Sequence, residues 1–219
     1  EYIELWIHEV KMPIATGKMI IENNKSEITE SIDEELDKIE NYIEQALFYA
    51  RSNVTEKDYY IKKQSLKEIV NTAILKNKRS LLQNKVKLNL HELKGQVYTD
   101  SKWCVFIINQ IIQNAVKYGK PNNKEIEIFD KSNKENTVLY IKDNGIGIRE
   151  GETVRVFEKG FTGTNGRKIG QKSTGIGLYL CKKLCDKLGL KIELDSKENI
   201  GTEIRIIFPK GSFIQEVRE

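Results

Sequence analysis

One histidine and a downstream set of glycines are the residues best suited to chemistry in this 219-residue chain. His8 lies in the string Trp6-Ile7-His8-Glu9-Val10-Lys11-Met12-Pro13. A neutral imidazole nitrogen is a competent nucleophile toward a phosphoryl group. A carboxylate beside it, here Glu9, can accept a proton or hydrogen bond from the other ring nitrogen. Pro13 removes the amide that would bond the Glu9 carbonyl, which predicts a bend in a helix at this point. A lone helical histidine is ordinarily inert, so this string gains meaning only from the rest of the chain.

Several separated segments point to a nucleotide. Asp143-Asn144-Gly145-Ile146-Gly147-Ile148 follows a strand-like run. Its glycines allow close backbone approach to a ligand, and its aspartate can accept a hydrogen bond from an adenine amino group. Alone, Asp-Asn-Gly is equally a plain turn. Gly175-Ile176-Gly177-Leu178 leads into a helical stretch, Tyr179 to Leu188, where free backbone amides form a ready anion site. Residues 160–173 are rich in Gly, Thr, Asn and Lys, a composition that suits a mobile lid and also suits a long surface loop. Asn114-Ala115-Val116-Lys117-Tyr118 ends a helix. The Asn114 amide oxygen is a hard ligand suited to Mg²⁺, Lys117 can meet phosphate charge, and Tyr118 can pack on adenine. Each of the three has an ordinary structural use as well: cap, surface and core.

In order, these segments resemble the N, G1, F and G2 boxes of sensor histidine kinases. The F-box counterpart is Val156-Phe157-Glu158-Lys159-Gly160-Phe161, and Gly201-Thr202 resembles the final glycine motif. His8-Glu9-Val10-Lys11-Met12-Pro13 resembles the family's H box. The resemblance covers nearly the whole chain and implies the ATP-binding sandwich shared with gyrase, MutL and Hsp90, the Bergerat fold. It implies catalytic roles for His8 and Glu9, with His8 as phosphate acceptor. It also implies ATP contacts from Asn114, Lys117, Tyr118, Asp143, Gly145, Gly147, Phe157, Lys159, Phe161, Thr174, Gly175, Gly177 and Leu178, with Mg²⁺ on Asn114. The activity implied is that of a protein-histidine kinase: ATP–Mg²⁺-dependent autophosphorylation, then transfer to an aspartate of a response regulator. Two positions depart from the pattern. Gln110 stands where many members carry an extra Asn. Met12 stands where a Thr or Asn usually positions water for phosphatase action.

The elements that must position these residues can be read from periodicity. Ile3, Ile7, Val10, Ile14 and Ile21 form one apolar series, and Ile32, Leu36, Ile39, Ile43, Leu47 and Ala50 a second, separated by Asn23-Asn24-Lys25-Ser26. Two such short helices cannot bury both stripes alone, which predicts a homodimeric four-helix bundle; a hairpin packed on the rest of the chain is the plainer alternative. The pattern breaks near Arg51, and residues 52–57 read as a linker. Beyond it, Ser65-Leu66-Lys67-Glu68 reads as a capping box opening a helix through about Asn84. Asp100 caps a helix running to Tyr118, and strands are expected over residues 86–90, 125–129, 137–141 and 204–208. The expected fold is α+β: a helical hairpin over 1–56 for dimerisation and phosphotransfer, then an α/β sandwich over 57–219, a mixed sheet covered by helices on one side.

Composition narrows the field. The charged fraction of 31% and hydrophobic fraction of 39% suit a soluble globular chain, and a net charge of +4 is a mild excess that does not point to nucleic acid. Cys104, Cys181 and Cys185 are odd in number and scattered, which suits a reducing cytoplasm. No run approaches the ~20 apolar residues of a membrane helix. The chain begins at Glu1 without an initiator Met, and the expectation is a cytoplasmic-side fragment of a bacterial membrane kinase. The finer resemblance is to the small kinases that respond to cell-wall-active, bacitracin-type peptide antibiotics, often beside an ABC transporter. It rests on Met12 and on the run Phe157 to Arg167. Two rivals remain: an ATP-hydrolysing conformational machine without phosphohistidine, and a pseudokinase docking scaffold.

Overall fold

The computed structural model describes residues 2–24, 26–53, 59–164 and 174–210. It divides into two compact units, residues 1–58 and 59–219.

In the first unit, α1 (Tyr2–Asn23) and α2 (Glu27–Asn53) are joined by a short turn. Ser26 caps α2 reciprocally: the Thr29 amide donates to Ser26 Oγ at 3.2 Å, and the Ser26 amide to Thr29 Oγ1 at 2.7 Å. The helices meet through Ile7, Ile14 and Ile43, with Val10, Leu36 and Leu47 packed around them. Lys18 then ties α1 to α2 by ion pairs to Asp37 at 2.6 Å and Glu40 at 2.7 Å. The second apolar series is only partly covered by α1: Leu36, Ile43 and Leu47 pack on it, while Ile32 and Ile39 stay exposed. One expectation needs correction. The helix continues through Ser52 and Asn53, so the first two residues of the expected 52–57 linker are helical; residues 54–57 lie outside the described residues.

The second unit is built on a five-stranded mixed sheet. Its elements are β1 (Lys62–Ser65), α3 (Leu66–Lys76), α4 (Lys78–Gln83), β2 (Lys87–Leu90), β3 (Gln96–Thr99) and α5 (Ser101–Lys117). They continue with β4 (Glu125–Ser132), β5 (Asn136–Asp143), α6 (Glu150–Thr153), α7 (Gly177–Lys187), β6 (Lys191–Lys197) and β7 (Gly201–Pro209). The sheet order is β2-β4-β5-β7-β6, with β2 parallel to β4 and the other pairs antiparallel; β1 and β3 form a separate ribbon.

Strand alternation places Ile126, Ile128, Leu139, Ile141, Ile192, Ile204, Ile206 and Phe208 on one buried face. Helix α5, with α3 and α7 beside it, covers that face through Trp103, Phe106, Ile107, Ile111, Leu66, Ile69, Leu180 and Leu184. The opposite face carries cross-strand ion pairs such as Lys142–Glu203 at 2.9 Å and Arg205–Asp195 at 2.6 Å. The expected helix from Ser65 to Asn84 is two helices. Ser65 is held in β1 opposite Gln96 and makes no side-chain cap. Asn77 interrupts the helix because its buried amide reaches Asn109 Oδ1 on α5 at 2.6 Å.

Candidate functional site

The site is set by the C-terminal end of α5. Asp100 caps that helix by accepting the Trp103 amide at 3.0 Å, and the helix runs buried until Asn114, Lys117 and Tyr118 emerge half-buried at its far end. The Lys117 ammonium lies 5.7 Å from the Tyr118 ring centre. The Tyr118 carbonyl accepts the Ile146 amide at 3.0 Å, which sews the end of α5 to the turn after β5. Gly145 makes that seam possible, since a Cβ there would lie 2.5 Å from the Tyr118 oxygen.

Asp143 ends β5 at the floor of this turn. Its Oδ1 accepts the amides of Gly145 at 2.8 Å and Thr202 at 3.3 Å. Burial pushes its carboxyl up to about 6 from an ordinary 3.8, against the pull of those two amides. A half-buried carboxylate held at a strand end by two backbone donors keeps lone pairs for a ligand donor. Gly147 follows, and Ile146 accepts the Asn199 amide at 2.7 Å, so the β6–β7 turn braces the loop from behind.

The other glycine segment is equally constrained. Gly175 has φ +66°, and the Gly160 amide donates to its carbonyl at 3.0 Å. A side chain at Gly175 would run into the backbone of Gly160 and Phe161, so the two ends of the 160–175 segment meet only because a glycine is there. Helix α7 starts at Gly177, beside the Gln110 carboxamide of α5: a Cβ on Gly177 would sit 2.9 Å from Oε1. The first turn of α7, whose opening amides lack intrahelical acceptors, thus starts against α5 one turn before Asn114.

Residues 99–212 match a known family, the histidine kinase-, DNA gyrase B-, and HSP90-like ATPases. The chain belongs to this family. Among its relatives, the sensor histidine kinase YxdK of Bacillus subtilis is 38% identical over 211 residues, covering 94% of this chain and 64% of YxdK. The chain thus spans a little under two thirds of that relative. In fold it is similar to full-length ShkA in complex with AMPPNP (TM-score 0.69, 15% identity, 95% of this chain and 45% of ShkA). It is likewise similar to the histidine kinase ThkA in complex with the response regulator TrrA (TM-score 0.64, 18% identity, 93% of this chain and 59% of ThkA). The resemblance to sensor histidine kinases read from the boxes holds at family level.

Within this ATPase unit the remaining expected residues fall as follows. Phe157 and Phe161 are half-buried, with the Arg155 guanidinium 4.5 Å above the Phe161 ring; Lys159 and Thr174 are exposed and Leu178 is half-buried. Residues 165–173, the centre of the expected lid and the end of the peptide-antibiotic run, lie outside the described residues. In the hairpin, the backbone at His8 is helical and Glu9 is exposed; the His8 side chain lies outside the described residues.

Two contributors escaped the sequence reading. Glu152 Oε1 accepts both the amide and the hydroxyl of Thr164, at 2.9 and 2.6 Å, and so fixes the start of the lid segment. Ser196 on β6 accepts the Ile148 amide at 2.9 Å. Neither position carries a motif signal. Burial drives the thiols of Cys104, Cys181 and Cys185 upward, Cys104 to about 12, which leaves them without nucleophilic character. Among the described residues no cluster of His, Cys, Asp or Glu suits a metal, and no helix is long and apolar enough to cross a membrane. A single amide oxygen at Asn114 fits Mg²⁺ that takes its other ligands from phosphate and water.

Proposed function

We propose that this chain is the catalytic core of a sensor histidine kinase. On this reading the second unit binds ATP, His8 takes the γ-phosphoryl group, and a response-regulator aspartate takes it in turn from His8. One observation carries the reading: Asp143, Gly145, Tyr118 and Thr202 are tied together at one end of the sheet, in a chain that also bears the His8 string. Asp143 accepts from the adenine amino group, Lys117 neutralises phosphate charge, and the amides opening α7 receive phosphate oxygens. Mg²⁺ held by Asn114 would supply charge neutralisation at the phosphates. Glu9 orients the His8 ring, so that catalysis rests on positioning and electrostatics. The AMPPNP in the ShkA structure and the regulator in the ThkA structure support the nucleotide and partner parts of this reading.

The hairpin, residues 1–56 in this scheme, serves as dimerisation and phosphotransfer element, and residues 57–219 as the catalytic domain. Its exposed apolar residues support dimerisation: Met12, Met19 and Ile20 on α1, with Ile28, Ile32, Ile39 and Tyr42 on α2. By resemblance, the whole protein works at the cytoplasmic face of a bacterial membrane in cell-envelope or peptide-antibiotic stress, with an ABC transporter as a further partner. The test is incubation with γ-labelled ATP and Mg²⁺. Acid-labile, base-stable label on the protein is expected; ATP turnover without such label would leave an ATPase machine instead.

A further inference from the structure

β6 adds a residue to the site that none of the sequence boxes contains. Strands β5, β7 and β6 run side by side, with Asp143 opposite Thr202 and Thr202 opposite Ser196. Each has the parity of the buried residues on its own strand, Ile141, Ile204 and Ile192, so the three form a polar row at the end of an apolar face.

Ser196 Oγ has three partners, and their chemistry fixes its proton. It lies 2.9 Å from the Gly201 carbonyl, 2.9 Å from the Ile148 amide and 2.9 Å from Thr202 Oγ1. A hydroxyl has one proton and two lone pairs. The carbonyl can only accept, so it takes the Ser196 proton. The amide can only donate, so it uses one lone pair. The remaining lone pair is left for Thr202, whose hydroxyl therefore donates to Ser196. With its proton turned that way, Thr202 Oγ1 offers only lone pairs to anything else. Asp143 beside it is an acceptor as well.

We propose that Ser196 is a specificity-determining residue: it locks Thr202 as an acceptor, so that the Asp143–Thr202 edge admits a base bearing an exocyclic amino group and rejects one bearing a carbonyl there. The inference rests on the nucleotide reading of this site. Above about pH 6, where Asp143 is ionised, a 6-oxo purine sets its oxygen against acceptors that have no proton to give, and an acceptor left facing an acceptor loses the hydrogen bond and its solvation together. Without Ser196 the Thr202 hydroxyl is free to turn and donate to that oxygen.

The experiment measures ATP and ITP binding to the full chain by calorimetry. Ser196→Ala is expected to lower the ATP-over-ITP preference about tenfold, the equivalent of one hydrogen bond. Ser196→Thr, which keeps the hydroxyl, should retain the preference. Thr202→Val gives an independent reading and should weaken ATP more than ITP. Equal losses for both nucleotides in Ser196→Ala, or a ratio unmoved by Thr202→Val, would overturn the proposal, because Ser196 would then only brace the Ile148 loop. A wild-type chain that binds neither nucleotide would instead sink the nucleotide reading itself.

Discussion

Residues 59–219 enclose a large core, with Trp103, Phe106, Leu139, Leu180, Ile206 and Phe208 almost without solvent contact, while Tyr60, Leu75, Leu82, Leu90, Tyr98, Val154 and Ile200 stay exposed at separate points along the chain. The much shorter hairpin exposes as many among its described residues: Met12, Met19, Ile20, Ile28, Ile32, Ile39 and Tyr42 each keep about half or more of their surface in water. The charges divide along the same boundary. Residues 1–58 carry 14 carboxylates against six Lys and Arg, a net of −8, whereas residues 59–219 carry 18 against 30, a net of +12. The mild overall excess is thus the sum of two opposites, and the basic unit is the one suited to a polyanionic nucleotide. A unit with a closed core can work alone, whereas one that leaves an apolar stripe in water is shaped for a partner.

The largest expected effect tests whether chemistry is split between these units. His8→Gln should abolish phosphorylation of the protein while leaving ATP affinity unchanged. Label surviving in that variant would remove His8 as acceptor. A large loss of affinity would mean that His8 belongs to the nucleotide pocket.

The apolar stripe can be broken directly. Ile32→Asp with Ile39→Asp puts two carboxylates where a second hairpin would bury isoleucines, and should weaken dimerisation at least about a thousandfold. Sedimentation should then report a monomer, while the melting of the ATPase unit stays put. A dimer of unchanged strength would move the interface elsewhere.

Asp143 sharpens the comparison from the other side, as a site residue that costs its own fold stability. Its folded-state carboxyl is raised to about 6 by burial, so between about pH 4 and pH 6 the folded chain holds a proton that the unfolded chain releases. The fold is therefore favoured by protonation, and this advantage is lost as pH rises through about 6, a penalty of about 2–3 kcal/mol at neutral pH. Asp143→Asn keeps an oxygen for the Gly145 and Thr202 amides and should raise the melting temperature at pH 7.5. The gain should shrink toward pH 4.5, and adenine binding should fall at every pH. In the wild type, adenine affinity should decline as pH drops below about 6. A variant no more stable than wild type at pH 7.5 would mean that the amides already offset the burial.

Legibility in the sequence follows how much of an element's identity is local. Helix α5 and strands β4, β5 and β7 were readable because a cap at Asp100 and long apolar alternation lie within the segments themselves. β1 was not, because Lys62-Lys63-Gln64-Ser65 has no apolar alternation and exists only by pairing with β3. The break at Asn77 is set by a residue 32 positions away, which no local pattern reveals. The glycine segments were legible as motifs, since a missing Cβ leaves a mark in the sequence. Ser196 was not, because its role comes from the register of β6 on β7. In the hairpin the spacing gave the helices but not which residues of the α2 stripe α1 covers and which it leaves exposed.

The smallest expected effect concerns Met12, which is 60% exposed on α1 in the hairpin. His8 and Met12 are four residues apart on a helix, the spacing of neighbours on one helix face. A hydroxyl at that position can hold a water by donating or accepting, whereas a thioether is only a weak acceptor. Met12→Thr is therefore expected to speed dephosphorylation of the partner regulator's phospho-aspartate severalfold, with autophosphorylation of His8 little changed. The helix should tolerate the change, because Met12 lies outside the Ile7–Ile14–Ile43 cluster, and Thr16 already shows a threonine on this helix bonding back, to the Met12 carbonyl at 3.1 Å. The measurement is the decay of labelled regulator in the presence of each variant. If the wild-type chain already removes the phosphate as fast as Met12→Thr does, the water is held by another residue, and the exposed Met12 belongs to the apolar stripe alone.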